Sequence, residues 1–192
     1  MAAPVAKQGG RLWEGTASAD ALVPRSMPRP RLRGLLDWTA DETAYRAELT
    51  EYVPVPPVTS GTPVLARDVA LPDAWWADLR AALETLATVP TDREAVRQRW
   101  IDNNFRRFLG IDPIQIHAYT TGHGDLHWAN LTRAPLILLD WENWGACPSA
   151  TTRAPARLLP GRARDRGADP PRVRPRRHRR RPSDQPLESG LQ

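Results

Sequence analysis

The chain has 192 residues, a single cysteine, Cys147, and a formal net charge of +5. That length suits one domain of ordinary size or a reduced two-lobed one, and one cysteine excludes an internal disulfide and a cysteine-based metal site. No run of about 18 apolar residues is present and the first residues lack the apolar core of a signal peptide, so we expect a cytoplasmic protein with no membrane partner.

The positive charge is concentrated at one end of the chain. Residues 151–192 contain 12 Arg against four acids, a balance of +8, whereas residues 1–150 hold the remaining 15 basic and 18 acidic residues, a balance of −3. Lys7 is the only lysine beside 26 Arg. We therefore treat the Arg- and Pro-rich residues 149–192 as a separate tail, whose composition predicts disorder.

The first elements are short. Residues 3–7 read as a strand, and Gly9 and Gly10 then turn the chain. A helix is predicted over residues 13–22, with Trp13, Ala17 and Ala21 recurring at four-residue spacing. Prolines after residue 23 end that helix.

A hairpin and a linker follow. Residues 31–38 and 45–53 are predicted to be its strands, with the polar residues 39–43 as the turn. Pro54, Pro56 and Pro57 open a stiff linker that reaches to about residue 72.

Two helices are predicted next. The first spans residues 72–88, and one apolar stripe runs along it, formed by Trp75, Leu79, Ala82, Leu83 and Leu86. The second starts after Pro90, with Thr91 and Glu94 as a capping box, and ends at Gly110. Its inward-facing residues are expected to be Val96, Trp100 and either Phe105 or Leu109.

The last regular elements surround a loop rich in polar residues. Alternation over residues 114–118 predicts a short strand, and an apolar strand is predicted from Pro135 to Asp140. Between them lies the loop 121–130, and after Gly145 no periodicity remains.

That loop carries groups suited to phosphoryl transfer. This chemistry needs a carboxylate that orients and deprotonates the attacking hydroxyl, and oxygen ligands that hold Mg²⁺ against the nucleotide phosphates. Asp125 can point at the hydroxyl, Asn130 can turn its amide oxygen to a metal, and Asp140 offers a second metal ligand. His123 would brace the loop by hydrogen bonding.

The segments His123-Gly-Asp-Leu-His-Trp-Ala-Asn130 and Ile137-Leu-Leu-Asp-Trp-Glu142 resemble the catalytic and metal-binding segments of the aminoglycoside phosphotransferase and choline kinase-like family. The resemblance implies a protein-kinase-like α+β fold, ATP and Mg²⁺ as cofactors, and a small-molecule hydroxyl acceptor of the aminoglycoside or amino alcohol class. It also implies that Asp125 is the catalytic base and that Asn130 and Asp140 are metal ligands. Many members have Pro-Gly before the Asn, where this chain has Trp128-Ala129.

The same resemblance divides the chain. It implies a partial N-terminal nucleotide-binding lobe at 1–53, a linker at 54–71 and a shortened, mainly helical C-terminal lobe at 72–148. Lys7 would be the strand Lys that holds the nucleotide phosphates and Glu14 the helix Glu that pairs with it, and Tyr52 and Val53 would be the hinge that holds the adenine. No glycine-rich phosphate loop precedes Lys7.

The tail has two alternative explanations. Clustered Arg could neutralise the phosphates of a nucleic acid, or residues from about 149 onward could be the product of a frameshift. The alternative to a phosphotransferase is therefore a non-catalytic kinase-like fragment whose basic tail binds nucleic acid.

Overall fold

The computed structural model describes residues 1–62, 65 and 68–149. In that part the chain is a mixed α+β structure with three α-helices and two antiparallel sheets. None of the described helices is long and apolar enough to cross a membrane. The predicted disorder of the tail concerns residues that, apart from Ser149, lie outside the described part.

Strands and helices are interspersed along the chain. The described part also contains three short turns of helix: two 3-10 turns, Val5–Lys7 and Trp128–Asn130, and one π-helical turn, Phe105–Leu109. The strands and helices are, in order, β1 Ala2–Pro4, α1 Arg11–Leu22, β2 Leu32–Ala40, β3 Thr43–Thr50, α2 Asp73–Ala87, α3 Gln98–Asn104, β4 Tyr119–Gly122 and β5 Gly145–Pro148.

The first sheet has the strand order β1-β3-β2. Its β2–β3 hairpin confirms the predicted one, but the turn is shorter than residues 39–43. Only Asp41 and Glu42 lie outside the ladder, both with positive φ, 48° and 61°. Two consecutive left-handed residues match the right-handed twist of the strands they join, which is why two-residue hairpin turns favour this conformation.

The predicted strand over residues 3–7 is wrong in its second half. Strand β1 ends at Pro4, and Lys7 closes the 3-10 turn that follows. The partner strand β3 begins at Thr43, which pairs with Pro4, so the ladder has no further partner residues, and the Gln8 N–H bonds back to the Val5 carbonyl at 3.1 Å.

Helix α1 lies where the sequence predicts it, but a different face is buried. Trp13 and Ala19 are in the interior, whereas Ala21 is exposed and Ala17 only partly covered. The buried face contacts residues that follow the second motif segment, since Trp144 Nε1 donates a hydrogen bond to the Gly15 carbonyl at 3.0 Å.

Helix α2 confirms its predicted stripe, every member of which is buried. Trp75 Nε1 also donates to the Thr132 carbonyl at 3.0 Å, which ties the helix to the residues just after the loop 121–130. The main core lies between α1, α2 and residues 128–144, and its largest fully buried side chains are Met27, Leu79, Leu86, Leu131, Leu138 and Trp144.

The predicted capping box at Thr91 and Glu94 is wrong, because helix α3 begins only at Gln98. Residues 93–96 bond to strand β5 instead: the Ala95 N–H donates to the Ala146 carbonyl at 3.0 Å, and the Ala146 N–H donates to the Arg93 carbonyl. Main-chain groups that form hydrogen bonds to a strand are not available for the hydrogen bonds of a helix.

The residues predicted to face inward from this second helix are also different. Trp100 is 62% exposed, and Ile101 is the buried residue of α3. Gly110 terminates the helical segment with φ of 64°, as predicted.

Two further strand predictions differ. Regular pairing starts at Tyr119 rather than over residues 114–118, and β5 occupies residues in which the sequence shows no periodicity. Residues 135–140 form one arm of a small hairpin whose bridge joins Leu131 to Leu138.

The described part of the predicted linker is packed. Val58 is buried, and its N–H donates to the Leu131 carbonyl at 2.7 Å. Leu65, Val69 and Leu71 lie against the main core. Burial of these apolar side chains stabilises the packing of the described residues between 54 and 71 against the core.

Candidate functional site

His123 is enclosed in the interior beside Trp141, with ring centroids 5.0 Å apart. Its Nε2 lies 2.8 Å from the Leu139 carbonyl oxygen. A carbonyl only accepts, so the ring proton is on Nε2. Burial lowers the pKa of His123, so the ring is neutral at neutral pH. The side chain therefore holds the loop 121–130 against the segment that leads to Asp140, as the bracing role requires.

Asn130 turns its amide back toward Asp125. Its Nδ2 donates to the Asp125 carbonyl at 3.0 Å and lies 3.5 Å from the carboxylate oxygen Oδ2. This bond across five residues closes the loop on itself and leaves the amide oxygen directed away from Asp125. The Asp125 side chain is half-exposed, so its carboxylate can meet a ligand.

His127 completes this loop. The Ala129 N–H donates to His127 Nδ1 at 3.2 Å, and His127 Nε2 lies 3.2 Å from Asn130 Nδ2 and 3.5 Å from Asp125 Oδ2. His127 therefore hydrogen-bonds within the loop.

Asp140 is exposed and adopts the left-handed conformation, with φ of 59°. Non-glycine residues rarely take that conformation, and Asp is among the few that tolerate it. The residue before it is bonded to the loop on both sides: the Leu139 N–H donates to the Asn130 carbonyl at 2.8 Å, and the Leu139 carbonyl accepts from His123. The two predicted metal ligands therefore lie on adjacent arms of one hairpin.

These two side chains suit Mg²⁺ only when phosphate and water oxygens complete its coordination. Within the described residues, no group of three or more His, Cys, Asp and Glu side chains could hold a metal ion. Asn130 and Asp140 supply two oxygen donors, and Mg²⁺ in phosphoryl-transfer sites is commonly held by one or two carboxylates plus phosphates and water. The residues present fit that arrangement.

Two cavities flank the site. One, of about 880 Å³, is lined by Asp125 and Lys7, and the other, of about 640 Å³, by Asp140, Tyr52 and Val53. Glu142 lines both. The predicted hinge residues and the predicted metal carboxylate thus share one cavity, and the predicted base faces the other.

Glu142 is a residue to which the sequence assigns no role. Partial burial, followed by the negative charges of Asp140, Glu48 and Asp125, raises the pKa of its carboxyl. A carboxylate that other carboxylates repel gains most from a nearby cation. The sequence signal that could have identified Glu142 was its position two residues after Asp140, since both residues follow the same short arm of the hairpin.

The predicted Lys7–Glu14 pair is not formed. Both side chains are exposed, and among the described residues no ion pair joins them. Lys7 lies on the 3-10 turn and lines the cavity that contains Asp125, whereas Glu14 projects from α1 and lines neither cavity. Tyr52 is 88% exposed, so only one side of it borders its cavity.

Comparison with protein-family models, curated proteins and solved structures finds no match to this chain.

Proposed function

We propose that the chain is an ATP-dependent phosphotransferase of the aminoglycoside phosphotransferase and choline kinase-like type, which moves the γ-phosphate to a hydroxyl of a small molecule. In this proposal the fold is protein-kinase-like, residues 1–53 form a partial nucleotide-binding lobe, and residues 72–148 form the catalytic lobe. The acceptor belongs to the aminoglycoside or amino alcohol class.

The observation that carries the proposal is a pair of hydrogen bonds to the main chain of Leu139. Its N–H and its carbonyl bond to Asn130 and His123, at 2.8 Å each, and both partners belong to the loop that contains Asp125. Two sequence segments with a phosphoryl-transfer pattern are thereby joined next to Asp140. Phosphoryl transfer depends mainly on such positioning and on electrostatic stabilisation.

Each group then has a role that its surroundings support. Asp125, half-exposed beside the larger cavity, orients the acceptor hydroxyl and accepts its proton. Asn130 and Asp140 hold Mg²⁺, which when bound neutralises charge on the nucleotide phosphates. His123 keeps the two segments together and, being neutral and buried, takes no part in proton transfer.

The nucleotide would occupy the smaller cavity. Tyr52 and Val53, which follow the end of β3, line this cavity, and Asp140 also lines it. Lys7 and Asp125 line the other cavity and Glu142 lines both, and in this proposal Lys7 binds a phosphate group that extends from one cavity to the other.

The test is transfer of label from γ-labelled ATP to a panel of aminoglycosides and amino alcohols, with Mg²⁺ and with the metal chelated. We expect Mg²⁺-dependent labelling of at least one acceptor. No labelling, together with no binding of Mg²⁺-ATP, would refute the proposal. Salt-dependent binding of DNA by the same preparation would then favour the non-catalytic alternative.

A further inference from the structure

Asn143, three residues after Asp140, contacts the loop that carries Asp125. Its Nδ2 donates to the Gly124 carbonyl at 3.1 Å. Its own main-chain oxygen packs on the same residue, so closely that a Cβ added to Gly124 would lie 2.0 Å from it. Gly124 also has φ of 79°, a conformation that other residues rarely adopt. Side chain and main chain of Asn143 thus meet the residue directly before Asp125.

Arg11, the first residue of α1, holds the other side of this amide. Its Nη1 donates to Asn143 Oδ1 and to the Ala95 carbonyl, the latter at 3.0 Å. A guanidinium can only donate, so the amide oxygen must face Arg11 and the amide N–H groups must face Gly124. The two partners therefore determine the orientation of the Asn143 side chain.

Arg93 strengthens the same junction from a third segment. Its Nη2 donates to the Arg11 carbonyl at 2.9 Å and to the Glu142 carbonyl at 3.3 Å. The start of α1, the residues after Asp140 and the residues before Asp125 consequently meet in one hydrogen-bonded group. Arg11 and Asn143 line the cavity that Asp125 also lines.

We propose that Asn143 is a positioning residue that holds the Asp125 loop in register with the Asp140 segment, and that Arg11 acts through it by orienting its amide. The inference rests on the proposed function, because it assigns Asn143 to the placement of the base relative to the metal ligand. Among the described residues, the Asn143 side chain bonds to Arg11 and Gly124 and not to the Asp125 carboxylate. A displacement of about 1 Å in such a site lowers the rate about 100-fold.

The first experiment compares Asn143→Asp with Asn103→Asp, an exposed position on α3 that serves as the matched control. The aspartate keeps an acceptor for Arg11 but has no N–H for Gly124. We expect kcat to fall about 10- to 100-fold for Asn143→Asp, with the KM for ATP changed less than about threefold. The control should match the wild type. Unchanged kcat, or a loss confined to KM, would overturn the inference.

A double-variant comparison tests the role of Arg11. If Arg11 acts through Asn143, then Arg11→Met combined with Asn143→Leu should be about as slow as Asn143→Leu alone. Losses of activity that multiply would show that Arg11 acts independently.

A structural measurement separates this inference from the proposed function. Hydrogen–deuterium exchange of peptides covering residues 122–126 should be faster in Asn143→Asp than in the wild type and in Asn103→Asp. If the wild-type chain transfers no phosphate but this acceleration is seen, the proposed function fails, whereas the positioning of the Asp125 loop by Asn143 is supported. Unchanged exchange would overturn the positioning role of Asn143, whether or not the chain is active.

Discussion

A Cβ atom added to Gly15 would lie 2.0 Å from the carbonyl oxygen of Glu142. Helix α1 therefore approaches the segment after Asp140 as closely as backbone atoms permit, and only a glycine allows it. Trp144 Nε1 uses this closeness to bond to the Gly15 carbonyl and to Ser18 Oγ, at 3.0 and 3.1 Å.

This contact predicts that Gly15→Ala destabilises the fold. Alanine is the better helix former by about 1 kcal/mol, so a helix considered by itself would gain stability. The clash with rigid backbone outweighs that gain, and overpacking typically costs about 1–3 kcal/mol. The measurement is the urea midpoint of unfolding. Gly34→Ala is the control, since a Cβ there meets only Leu49 Cβ at 4.0 Å; equal stability of the two variants would contradict the prediction.

The proposed base is tested by Asp125→Asn. The amide has nearly the shape of the carboxylate but cannot accept the proton, and loss of a positioned base typically costs about 10²- to 10⁴-fold in rate. We expect that loss in kcat with an unchanged melting temperature, because the side chain is half-exposed. Asp112→Asn, at an exposed position, should keep full activity. An Asp125→Asn variant as active as the wild type would mean that another group is the base.

The proposed metal ligand is tested by Asp140→Asn. Asparagine tolerates the left-handed backbone that this position requires, so the variant removes the charge without adding strain. We expect the affinity for Mg²⁺-ATP to fall at least about tenfold, since even residues behind the ligands contribute about 10- to 100-fold to metal affinity. Binding of ATP without metal, measured by the same calorimetric titration, should change much less. Equal losses with and without Mg²⁺ would argue against a metal role.

The raised pKa of Glu142 predicts a pH dependence of stability. Because the folded state favours the protonated carboxyl, the associated stabilisation is complete below the ordinary value of 4.5 and is lost as pH rises through the folded-state pKa. Above that range the ionised carboxylate is repelled by Asp140 and Glu48. Glu142→Gln should therefore be more stable than the wild type at pH 7, and the difference should vanish toward pH 4.

Thermal unfolding of both proteins between pH 4 and pH 8 measures this difference directly. Glu84→Gln, at an exposed position on α2, is the control and should follow the wild type at every pH. A Glu142→Gln variant that is less stable than the wild type across the range would show that the carboxylate makes a favourable contact instead.

Patterns within one element were predicted well from the sequence. The stripe on α2 is buried as expected, because a period of 3.6 residues reports directly which side of a helix is apolar. The β2–β3 hairpin was expected from two strand-like segments on either side of a polar turn. The spacing of Asp125 and Asn130 within one loop also belongs to this class, since five residues are enough to close it.

Predictions failed where a distant partner competes with local preference. Residues 91–94 have the pattern of a helix start, yet the backbone at 93–96 bonds to β5. Lys7 was expected on a strand beside Glu14, and the chain instead turns after Pro4. In neither case does the local pattern contain the partner that decides the conformation.

The sequence by itself determined α1 and α2, the approximate place of α3, the β2–β3 hairpin, and the residues on which the proposal of phosphoryl transfer rests. Only the tertiary structure decided that Glu142 borders two cavities, that α1 touches its backbone through Gly15, and that Arg11 orients Asn143 across 132 residues of chain. The physical reason is range: propensity and periodicity act over a few residues, whereas close packing brings together side chains whose positions in the sequence carry no mutual signal.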